Sequence, residues 1–61
     1  MDVPPAVVAA GLEGQYIEAK RVAEDVAASC WKRRLAEAMI DEIMRVAARH
    51  VVERERLRKE Q

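Results

Sequence analysis

From Gln15 to Gln61 the chain contains no Gly, Pro, Asn or Thr. Those residue types supply most helix stops and loop conformations, so their absence favours long helix over any strand-and-turn architecture. Punctuation is confined to the start, in Pro4, Pro5, Gly11 and Gly14. Proline is tolerated at a first helical position, where its missing N–H would have no partner anyway. "PAVVAA" therefore reads as a short helix closed by Gly11 or Gly14.

Apolar positions placed at roughly 100° per residue define two stripes, not one. In the first half Leu12, Tyr16, Ala19, Val22, Ala23, Val26 and Cys30 share an arc with coiled-coil-like spacing. In the second half Leu35, Ala36, Met39, Ile40, Ile43, Val46, Ala47 and Val51 share a broader arc. The second is displaced from the first by roughly 120°. The crossover lies in "WKRR", Trp31 to Arg34.

Two architectures explain the displacement. In one, a continuous helix over about 15–58 changes apolar face near 31–34 and meets a different neighbour with each half. In the other, a helical hairpin turns near 29–34. The missing turn chemistry favours the continuous helix, as does an i+4 row running from Ala19 through Trp31, Leu35, Met39 and Ile43 to Val51. The expected fold is thus all-α. Residues 1–14 would be an N-terminal arm, of which 1–10 either lie over a neighbouring subunit or form a disordered end, and 15–61 the main helical region of one domain.

Sixty-one residues bury only about 60% of the surface that the unfolded chain exposes, which makes a lone small domain marginal. One Cys and one His provide neither an internal disulfide nor the four N/S ligands of a structural zinc site. Oligomerisation is the remaining route to stability, and a homo-oligomeric helical bundle, dimer or larger, is expected. Leu12, Tyr16, Val22, Val26, Trp31, Leu35, Met39, Ile40, Ile43 and Val51 are the candidate interface residues.

Charge adds a second constraint. The formal net charge is +0. Residues 1–30 carry Asp2, Glu13, Glu18, Glu24 and Asp25 against Lys20 and Arg21, a net −3; residues 31–61 carry the opposite +3. Halves of opposite sign suggest attraction within or between chains.

Lys32, Arg33, Arg34, Arg45 and Arg49 are the candidate nucleic-acid contacts. Arg34, Arg45 and Arg56 would form a stripe about 30 Å long on a continuous helix. Interspersed acids and a pI near 6.6 argue against that role, because nucleic-acid binders carry a clear basic excess.

Enzyme chemistry finds little footing. Cys30 would serve as a nucleophile only with a base such as His50 beside it. The di-iron Glu-x-x-His pattern fails at Ala47, and no cofactor, metal or small-molecule substrate is expected. The apolar run Ala6–Ala10 falls far short of the ~18 residues of a membrane span. With no basic residue before it, this run is not a secretory signal either. A lone thiol fits a reducing cytoplasm. The resulting expectation is a non-enzymatic, self-associating interaction module, structural or regulatory, whose partner is a second copy or another protein.

Overall fold

The computed structural model describes residues 2–60; Met1 of the expected arm and Gln61 of the main region lie outside them. Three helices follow one another: α1 (Pro5–Ala9), α2 (Glu13–Glu24) and α3 (Cys30–Lys59). No strand occurs among the described residues.

Pro5 starts α1, as the sequence predicts, and Gly11 ends it with φ of 75°. Only glycine enters that left-handed region without steric cost. The Gly11 N–H donates to Val8 O and the Leu12 N–H to Val7 O, both at 3.0 Å. This is the paired bonding of a Schellman motif, with Leu12 folding back toward Val7. Gly11, not Gly14, is the stop.

The single helix expected over 15–58 does not form. α2 ends at Glu24, and Asp25 takes an extended conformation with ψ of 107°. Its carboxylate accepts a hydrogen bond from the Ala27 N–H at 2.9 Å, and its carbonyl accepts one from the Ala28 N–H at 3.1 Å. An aspartate side chain that bonds the backbone two residues on offers the chain an alternative to helix. Ser29, with φ of −64° and ψ of 155°, then leads into α3. The turn therefore spans 25–29, earlier than the 29–34 of the hairpin alternative, and 30–34 already belong to α3.

α2 runs back along α3, so that Tyr16 and Ala19 meet Ile43 and Ala47 while α1 adds Val7 to the same cluster. Val7 is fully buried, with Val3, Ala6, Ala10 and Leu12 packed around it. The N-terminal segment is consequently part of the chain's own core, not an arm laid over a neighbour. What anchors it is the Schellman turn, which points α1 back at α3.

Buried positions on α3 are Ala36, Ile43 and Ala47, with Ile40 half-buried between them. Their 4-3-4 spacing is that of a helix seam. The molecule measures 50 × 19 × 12 Å. Here α1 packs against α3 and α2 at the end away from the turn, while nearer the turn α2 lies beside α3 alone. Half of the six buried residues among the described ones are alanines.

Candidate interaction surface

Away from α1, the α2–α3 hairpin leaves its seam open along two flanks. On the first, Trp31, Leu35 and Met39 form an i, i+4, i+8 row on α3. Successive members of such a row shift by roughly 40° around the helix, so the row climbs from solvent toward the seam. Exposure falls accordingly, from 64% at Trp31 to 54% at Leu35 and 49% at Met39.

Val22 of α2 closes this row into a groove with Lys32, Leu35 and Ala36. Val26, in the turn, is 89% exposed. Beyond Met39 the groove continues into a hollow bounded by Gly14, Gln15, Glu18 and Ala19. Its charged groups are one at each end, Lys32 near the turn and Glu18 toward the start of α2.

The second flank is different. Lys20, Ala23 and Glu24 of α2 lie across from Glu37, Ile40 and Asp41 of α3. Lys20 pairs with Glu24 at 4.0 Å, and its ammonium stands 6.0 Å from the Tyr16 ring centroid, the limit of useful cation–π range.

The ten expected interface residues consequently divide. Tyr16 and Ile43 fill the internal core, and Leu12 and Ile40 pack half-buried against it. Val22, Trp31, Leu35 and Met39 stay together on the first flank, and Val26 is exposed in the turn. Val51 is separate, beside Ala9, Arg54, Glu55 and Arg58 near the far end of α3. The i+4 row that seemed to unite Trp31 with Val51 crosses the seam at Ile43 and Ala47 and emerges on the other side.

The candidate nucleic-acid contacts divide too. Lys32, Arg33 and Arg34 follow one another at 100° steps on α3 and share no surface. Lys32 lines the groove. Arg33 is half-buried, and its Nε is buried without a hydrogen-bond partner. Arg45 and Arg49 both pair with Glu42, at 3.2 and 3.6 Å, and Arg56 pairs with Glu53. Of the stripe Arg34–Arg45–Arg56 with Arg49 beside it, Arg34 alone makes no ion pair among the described residues.

Every ion pair among the described residues joins positions of the same helix. Opposite net charges on the two halves therefore do not bridge α2 to α3.

Cys30 is exposed at the first position of α3, not seated on an apolar seam. His50 is half-buried on the same helix, and twenty residues of helix hold the two about 30 Å apart. No group of three His, Cys, Asp or Glu residues able to hold a metal occurs among the described residues. Nor is any described helix long and apolar enough to cross a membrane. Comparison with protein families, curated proteins and solved structures gives no match to this chain.

Sequence reasoning names the four large apolar residues that line the first flank, Val22, Trp31, Leu35 and Met39, but not the groove's ends. Lys32 was grouped with its basic neighbours, and Glu18 was counted only as charge. A signal was available in the turn chemistry of Asp25 and Ser29, which places the two residues on one side of a hairpin.

Proposed function

We propose that this protein is a non-enzymatic helical interaction module that self-associates through the flank formed by Val22, Trp31, Leu35 and Met39, in a structural or regulatory role. The supporting observation is the run of large apolar side chains, Trp31, Leu35 and Met39, about half exposed along one side of the α2–α3 hairpin. Contiguous apolar surface of this kind marks interaction sites on soluble proteins. Covering the exposed half of a Trp, Leu or Met contributes on the order of 1 kcal/mol, taken as half of its full burial. A reducing, cytoplasmic setting suits the exposed thiol of Cys30.

Light scattering over a dilution series tests the reading. A dimer or larger assembly is expected at micromolar concentration, and Leu35→Glu should shift it toward the 6.9 kDa chain while leaving helicity in place. A wild-type protein that stays monomeric at every concentration would overturn it.

A further inference from the structure

Resting on that reading, we infer that the flank is self-complementary: two copies meet across a twofold axis near Leu35, with Lys32 of each paired to Glu18 of the other. The groove has a cation at one end and a carboxylate at the other. Lys32 precedes Met39 by seven residues, about 10 Å along α3. Glu18 and Met39 line the same hollow, so Leu35 and Val22 lie near the midpoint between the two charges. A twofold axis lying in the plane of the contact, through that midpoint and at right angles to the line joining the two charges, exchanges its ends. It lays the second copy's Glu18 over Lys32, and its Lys32 over Glu18, while the apolar middles stack. Such an isologous contact uses one patch twice and closes at a dimer. A parallel placement would set like charges together at both ends, which association disfavours strongly.

A local conflict in α3 supports the same arrangement. Its first turn, Cys30 to Arg33, contains no acidic residue and carries Lys32 and Arg33 next to the positive end of the helix dipole. Lys32 has no ion pair among the described residues. Glutamate at position 32 would suit the isolated helix better, completing a Ser29-x-x-Glu capping box. Departures from a local rule of this kind are expected where function imposes its own demand. The demand inferred here is a carboxylate arriving from a second copy.

Charge reversal with mixing tests the inference on the full chain. Lys32→Glu and Glu18→Lys should each raise the dimer dissociation constant roughly tenfold, since two exposed pairs turn from attraction to repulsion. An equimolar mixture should recover wild-type affinity as a heterodimer, because one pair is the wild-type Lys32–Glu18 pair and the other is restored with its signs exchanged. Light scattering reads the mass, and circular dichroism reads the fold. If a single variant loses helicity when it dissociates, mixing must restore helicity and mass together. Singles that associate like the wild type, or a mixture that recovers nothing, would overturn the twofold arrangement. A wild-type dimer still broken by Leu35→Glu would in that case leave the interaction flank standing. A wild-type monomer would end both and assign the flank to a different protein.

Discussion

On one flank of the α2–α3 seam, Val22 lies across from Leu35 and Met39; on the other, Lys20 and Glu24 lie across from Glu37 and Asp41. Both flanks border the same buried line of Tyr16, Ala19, Ala36 and Ile43. The demands of folding are therefore alike on the two sides, and they are met by the seam. Charged residues suffice for the second flank, which water solvates. The exposed halves of the apolar residues on the first contribute no burial while they face water. Their hydrophobic contribution requires something to cover them, and this asymmetry is the strongest structural argument for a partner.

Ile43→Asp attacks what the flanks share and should have the largest effect. It removes a buried branched side chain and leaves a carboxylate in its place, costing about 4 kcal/mol or more. Total stability for a domain of this size is about 3–9 kcal/mol on a per-residue scale. The variant should lose most of its helical circular dichroism at room temperature. If it kept wild-type helicity and lost only its assembly, Ile43 would belong to an interface and not to the core, and the division into seam and flanks would fail.

How far the sequence leads is clearest at particular residues. Pro5 starts α1 in the sequence and in the structure, and of the two candidate stops, Gly11 and Gly14, the structure uses Gly11; proline's fixed φ and glycine's access to positive φ are both local and need no tertiary context. The roughly 120° displacement between stripes is real, but its cause was misassigned. Asp25 and Ser29 supply the turn with a side-chain hydrogen bond and an extended backbone. Both types are also common on helix surfaces, so neither stands out in a chain searched for Gly, Pro and Asn. Once the turn is placed, Tyr16 and Ile43 satisfy each other's burial within one chain. Periodicity alone assigns residues to a stripe; it leaves open whether the facing stripe belongs to the same molecule.

The two flanks exist only if the helix breaks at 25–29, and proline substitutions probe that directly. Cys30→Pro should be tolerated, or should stabilise by about 0.4–1 kcal/mol. Position 30 is the first of α3, and Ser29 already has the extended ψ of 155° that a following proline requires. The first ladder bond at this end, from the Arg33 N–H to Ser29 O at 3.1 Å, does not involve the residue 30 amide. Ala38→Pro, at an exposed position inside α3, should instead cost about 3 kcal/mol by removing a helical bond and clashing with the preceding turn. Thermal melts at one protein concentration compare the two. Equal and severe losses would mean that the helix runs through 25–29 and that the chain has one long surface, with no flanks to contrast.

The smallest expected effect isolates the comparison itself. Glu37→Gln and Asp41→Asn alter charge on the second flank with little change in shape. Neither side chain takes part in an ion pair or a side-chain hydrogen bond among the described residues. Surface substitutions away from specific interactions usually stay within about ±0.5 kcal/mol of the parent. The double variant should melt with the wild type and keep its mass on dilution, in contrast to Leu35→Glu on the opposite flank. Both substitutions raise net charge by one, so a change in assembly confined to low salt would reflect long-range attraction or repulsion, which ions screen beyond about 10 Å at 0.1 M. A loss of assembly that persists at high salt would place the charged flank inside the contact. The apolar flank would then be one part of a surface that wraps the hairpin, and its exposed Trp31 and Leu35 would no longer single out the side on which a second copy sits.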